Sequence, residues 1–212
     1  MINDRYENIW DCCCDHGFLG QQLLLRGAAD TVHFVDNIEQ ILSKLQSQLE
    51  KNTRLSADSW QVLCCDAAKL DLNVGKQLTL KPPLIIIAGV GGELLTELVT
   101  SLIKNHQGHR LEFLLCPVHH NYKVRQALIN LDLGLLDECL VQENKRHYEI
   151  MHISTHAKKA IHKVGSSMWD FSKDSHMAYL KSTIRHYQRI NLNKNTNTDT
   201  IIRDYQSLLD SP

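Results

Sequence analysis

The sequence predicts an α/β protein: a doubly wound, mostly parallel sheet with an antiparallel edge hairpin, followed by a small C-terminal helical appendage. Three observations predict it. Strand and helix patterns alternate from the start of the chain. The run Leu84-Ile85-Ile86-Ile87-Ala88 is too short and too apolar for anything but a central strand covered on both faces. Two extended segments, Leu133 to Val141 and Tyr148 to Ser154, flank the polar turn Gln142 to Arg146 and read as a hairpin.

The elements follow in order. Asn8 to Cys13 reads as a first strand and Leu19 to Arg26 as a helix. Thr31 to Val35 is a β-branched run ending at Asp36, and Ile41, Leu42, Leu45 and Leu49 share one face of a helix over Ile38 to Glu50. Gln61 to Cys65 is a third strand, ending at Asp66. After the Leu84 to Ala88 strand, Gly89-Val90-Gly91-Gly92 leads into a helix that reaches about Lys104. Leu111 to Cys116 stops at Pro117, and a helix spans about Tyr122 to Leu131.

The strand domain is expected over residues 1–156, and a linker with a helical hairpin over 157–212. The linker reading covers 157–175. A helix over about Ser175 to Leu192 turns Met177, Leu180, Ile184 and Tyr187 inward, with Lys181, Arg185 and Arg189 spaced by four on another face. The polar loop Asn193 to Asn197 joins it to a last helix, about Asp199 to Leu209, with Ile201, Tyr205 and Leu208 inward.

Composition narrows the function classes. No window approaches the roughly 18 consecutive apolar residues of a membrane span, and Met1-Ile2-Asn3-Asp4-Arg5 begins no secretory signal. A cytoplasmic protein without a membrane partner is expected. The seven cysteines are clustered as Cys12-Cys13-Cys14 and Cys64-Cys65, with Cys116 and Cys139 alone. Adjacent cysteines suit neither a disulfide framework nor a zinc cage. The adjacent pair His119-His120 should splay apart on a helix or strand, so no metal is expected. Residues 157–212 carry nine Lys and Arg against five Asp and no Glu, a net +4, while residues 1–156 carry −5. A basic tail on an acidic body is compatible with a nucleic-acid partner.

The chemistry-bearing residues sit at the predicted carboxyl ends of the strands, where doubly wound sheets bind ligands. Asp11-Cys12-Cys13-Cys14-Asp15-His16-Gly17-Phe18-Leu19 resembles the signature Asp-Ile-Gly-Ser-Asp-His-Ala-Tyr-Leu. Ile87-Ala88-Gly89-Val90-Gly91-Gly92 is similar to Ile-Ala-Gly-Met-Gly-Gly. Tyr148-Glu149 and Arg125 fall on a matching Tyr-Glu and arginine. Across residues 9–153 these resemble the bacterial tRNA (adenine-22-N1)-methyltransferases, which join a Rossmann-like methyltransferase domain to a small helical one.

The resemblance implies an S-adenosylmethionine-dependent methyltransferase acting on N1 of an adenine in tRNA. Asp11, Cys13, Gly17, Asp36, Asp66, Ala88 and Gly89 would hold the cofactor. Asp36 lies 19 residues beyond Gly17, the position from which an acid can accept both ribose hydroxyls. Asp15 would stabilise the charge that develops on the base, with His16 orienting it or contacting the substrate. Gly91, Gly92, Arg125, Lys181, Arg185 and Arg189 would contact the substrate. The sequence departs from the family pattern in three places. Cys13 stands at the motif glycine, Cys116-Pro117-Val118 stands at a Gln-Pro-Asn segment, and only about ten residues precede the first strand. A second reading therefore stays open: a relative that binds RNA or a protein partner without methyl transfer.

Overall fold

The computed structural model describes residues 1–72, 81–192 and 198–210. The expected alternation is present as β1 (Tyr6–Cys12), α1 (Phe18–Leu25), β2 (Ala29–Asp36), α2 (Glu39–Lys51), β3 (Trp60–Cys64), β4 (Leu84–Ala88), α3 (Gly92–Asn105), β5 (Glu112–Cys116) and α4 (Asn121–Asn130). Then come β6 (Gly134–Glu143), β7 (Arg146–Ser154), β8 (Lys159–Ala160), α5 (Asp174–Asn191) and α6 (Asp199–Gln206). The sheet order is β3-β2-β1-β4-β5-β7-β6-β8. The first five strands run parallel, and β7, β6 and β8 add an antiparallel edge.

Alternation along β4 shows how two faces are filled at once. Leu84 and Ile86 pack with Leu42, Leu45 and Leu49 of α2, whereas Ile85 and Ile87 pack with Leu95, Val99 and Leu102 of α3. Period-two side chains on a strand covered by helices on both sides give an unbroken apolar run, the pattern read from the sequence. At the opposite end from the helix-capped loops, the Tyr6 hydroxyl donates to Glu112 of β5 (2.7 Å) and lies 3.4 Å from His152 of β7.

The hairpin differs from its expected form. Both strands run further than expected, leaving a turn of only Asn144 and Lys145, each in the left-handed region (φ 47° and 64°). Two positive φ values make the tight hairpin turn whose twist matches the flanking strands. The segment expected as a linker is fastened down. β8 pairs with β6 beyond the expected boundary at 156, Ser166 donates to Glu138, and the Trp169 indole donates to Val164 (2.9 Å). α5 and α6 then close over α4, with Tyr122, Leu180, Ile184 and Tyr205 as a small separate core. The loop 193–197 lies outside the described residues. Among the described residues no helix is long and apolar enough to cross a membrane.

Candidate active site

The parallel strands end on one side of the sheet, where backbone hydrogen bonds lace their loops together. Cys14 N donates to Val35 O (3.1 Å), Cys65 N to Asp36 O (2.9 Å), Gly89 N to Cys116 O (3.0 Å) and Val118 N to Val90 O (3.0 Å). The result is a continuous rim running over β3, β2, β1, β4 and β5. The winding reverses between β1 and β4, the switch point at which such sheets form a ligand crevice.

The loop after β1 is held in a demanding conformation. Cys13, Asp15 and Gly17 all have positive φ (56°, 48° and 67°). For a side chain with a Cβ this costs of order 1–2 kcal/mol, less for aspartate. Cys13 thus keeps the left-handed turn without the glycine usual there, and its side chain packs against the core on the α3 face. Burial raises the Cys13 thiol pKa, with the nearby carboxylates adding to the effect. Asp36 braces the loop: one oxygen accepts from Asp15 N (3.2 Å), the other from Asn37 N (2.8 Å) and Ile38 N (3.1 Å). A carboxylate has about four acceptor positions, and the loop amides occupy three of them. Asp66 is exposed, with one oxygen capping Ala68 N (2.9 Å) and the other 3.8 Å from Lys69.

Asp11 does not stand on the rim. It is buried beneath the loop, accepts from Gly20 N in α1 (3.0 Å), and burial raises its pKa to about 7. Its geometry is that of a bracket between β1 and α1. Asp15 and His16 are both exposed and paired through Oδ1 and Nδ1 (2.8 Å), and the His16 ring stacks on exposed Phe18. Across the crevice, half-buried Ala88 leads into Gly89 (φ 78°), where an added Cβ would meet nothing within 4 Å. Gly89 therefore borders open space and serves the backbone turn. Gly92 is different: a Cβ there would lie 2.7 Å from His119 O and 2.8 Å from Val124, so its smallness admits the β5–α4 loop. Gly91 sits under the His119 ring.

With this geometry in view, residues 1–151 match the family model described as a methyltransferase domain. The chain belongs to that methyltransferase family. A comparison with curated proteins gives no significant match. Solved methyltransferase structures share the fold over nearly the whole chain. M. capricolum TrmK, in complex with S-adenosyl-homocysteine, has a TM-score of 0.74 at 16% identity, covering 98% of this chain and 92% of that one. The B. subtilis m1A22 tRNA methyltransferase TrmK has a TM-score of 0.69 at 19% identity, covering 96% and 88%. A Streptococcus pneumoniae protein in complex with S-adenosyl-L-methionine has a TM-score of 0.75 at 15% identity, covering 99% and 94%.

Of the expected substrate residues of this methyltransferase, Arg125 is the clear correction. Its side chain is 0% exposed and binds Glu149 through Nε and Glu138 through a terminal nitrogen, both at 2.8 Å, with His162 O and the Met168 sulfur completing its shell. Burial alone would lower the guanidinium pKa, and the two carboxylates more than offset it. Arg125 joins α4 to the edge hairpin and cannot touch RNA from there. Lys181, Arg185 and Arg189 do stand exposed along α5. Beside them a groove of about 670 Å³ runs between the start of α4 and the tail helices, lined in part by His119, Lys123, Tyr179 and His186. One rim group escaped the sequence reading and another was set aside by it. Ile38 is 49% exposed beside Asp36, and His119 and His120 both turn toward Glu93. The signal for Ile38 was an apolar residue two places past a strand-ending acid.

Proposed function

We propose that this methyltransferase uses S-adenosylmethionine to methylate N1 of an adenine in tRNA. The observation that carries the reading is the rim itself: Asp36, Asp66 and the open backbone turn at Gly89 around one crevice at the switch point. These groups fit the cofactor. Asp36 would accept one ribose hydroxyl, Asp66 the adenine amino group, and exposed Ile38 would cover a purine face. When bound, the cofactor supplies the methyl group. Adenine N1 carries its own lone pair, so the protein needs to align it and exclude water, effects worth about 7–11 kcal/mol in well-oriented reactions. The Asp15 carboxylate, held by His16 and by its own strained backbone, would face the positive charge that develops on the base. Support for an RNA substrate comes from the exposed Lys181, Arg185 and Arg189 and from the likeness in fold to tRNA methyltransferases across the tail as well as the body.

The second reading, binding without methyl transfer, is favoured by exposed Val118, which stands where an amide of the family pattern could hold a base. One experiment separates the two. Calorimetry with S-adenosylmethionine should give saturable heat, weakened by about 1–3 kcal/mol in Asp36→Ala. Incubation of tRNA with labelled cofactor should place label on adenine N1. No heat at millimolar cofactor sinks the cofactor assignment, whereas heat and RNA binding without label leave the non-catalytic reading.

A further inference from the structure

Glu93, His119 and His120 come together on the crevice edge from two different elements. Glu93 is the second residue of α3, just after Gly91-Gly92, while the histidines end the loop between β5 and α4. Sequence alone placed the two rings on opposite sides. The left-handed backbone of His120 (φ 64°) at the start of α4 turns them together, with ring centroids 4.4 Å apart. His120 Nδ1 lies 2.5 Å from one Glu93 oxygen, and His119 Nδ1 lies 3.9 Å from the other. One ring nitrogen of each histidine and one carboxylate oxygen all lie within 4.8 Å of one another.

We propose that these three side chains bind a divalent transition-metal ion of the zinc type. Two imidazoles and a carboxylate with a fourth position open to water form a familiar tetrahedral donor set. Metal–ligand bonds of about 2.0–2.2 Å put tetrahedral ligands about 3.4 Å apart, so atoms now as much as 4.8 Å apart close by up to about 1.4 Å while the His120–Glu93 pair opens by about 0.9 Å. The cation would replace the direct His120–Glu93 contact. Glu93 brings a carboxylate to the two imidazoles. That charge also offsets the positive amino-terminal ends of α3 and α4, which otherwise disfavour a cation. Occupancy would clamp the start of α3 to the β5–α4 loop and fix the His119 ring above Gly91.

The site is independent of the methyltransferase reading, because the test uses neither cofactor nor RNA. The full chain is titrated with Co²⁺ at a pH where imidazole is neutral, and the visible bands of tetrahedral Co²⁺ are followed, then displaced with Zn²⁺. One equivalent should bind. Loss of an outer-shell partner already weakens metal binding about 10–100-fold, so Glu93→Gln, His119→Asn and His120→Asn should each weaken it at least about tenfold, while His109→Asn leaves it unchanged. A measurement on the unsubstituted protein guards against damage to the fold: Zn²⁺ should protect the His119–His120 peptide from diethylpyrocarbonate, read by mass spectrometry. Absence of saturable binding, equal affinity in the three variants, or protection confined to other histidines would overturn the proposal.

Discussion

Asp11 concentrates the tension between site and stability in one carboxyl. Its folded pKa of about 7 stands well above the ordinary value of 3.8, and burial is the cause, opposed only by the Gly20 amide. Between those values the folded protein holds a proton that the unfolded chain has released. The contribution to stability is therefore complete below about pH 4, declines as the pH rises, and is lost above about pH 7. Asp11→Asn carries no charge at any pH and can still accept from Gly20. Relative to the parent it should gain a few kcal/mol between about pH 5 and about pH 8, measured by urea unfolding at both values. A difference that ignores pH would mean that Asp11 does not hold this proton. Cys13 shows a complementary adjustment. The turn keeps its left-handed form and the thiol goes to the core, so the missing glycine leaves backbone, not side chain, at the rim.

At the scale of elements, Arg125 binds α4, β6, β7 and the strap before α5 through one guanidinium. Glu138 also accepts from Ser166, and Glu149 accepts from Tyr179 of α5 (2.8 Å). Removing the cation leaves two buried carboxylates without compensation, so Arg125→Met should destabilise the fold by about 3–5 kcal/mol in chemical denaturation. Adding Glu138→Gln and Glu149→Gln should recover part of the loss; no recovery would show that packing, not charge, is the issue. None of this was legible from the chain. The resemblance assigned Arg125 to the substrate, and its partners lie 13 and 24 residues away in two other elements. The parallel strands were legible because burial on both faces writes itself as an uninterrupted apolar run. The hairpin turn was expected in the right place but too long, because Lys145 is not a residue that signals positive φ. β8 escaped because two residues carry no period. The rim was readable because each acid follows an apolar strand directly, whereas the approach of His119 and His120 to Glu93 depends on one left-handed residue.

For the whole molecule, charge and topology divide the work. The sheet domain is acidic and the tail basic, with Lys181, Arg185 and Arg189 exposed in one stripe. Each neutralised phosphate contributes about −0.7 to −0.9 to the log–log salt slope. Replacing all three with alanine should weaken tRNA binding and flatten that slope by roughly two to three, with cofactor affinity unchanged. Equal slopes would make α5 a structural helix only. Topology has its own consequence during synthesis. β1 leaves the ribosome before the other seven strands of this sheet yet belongs in its middle, between β2 and β4. Its second neighbour begins only at Leu84, and the partners of the Tyr6 hydroxyl, Glu112 and His152, emerge later still. Until then a nascent chain carries an unpaired strand edge bearing Ile9 and Trp10, a template for wrong pairing with other chains. Translation, with its long wait for closure, is thus the stage at which this sheet is most open to wrong pairing.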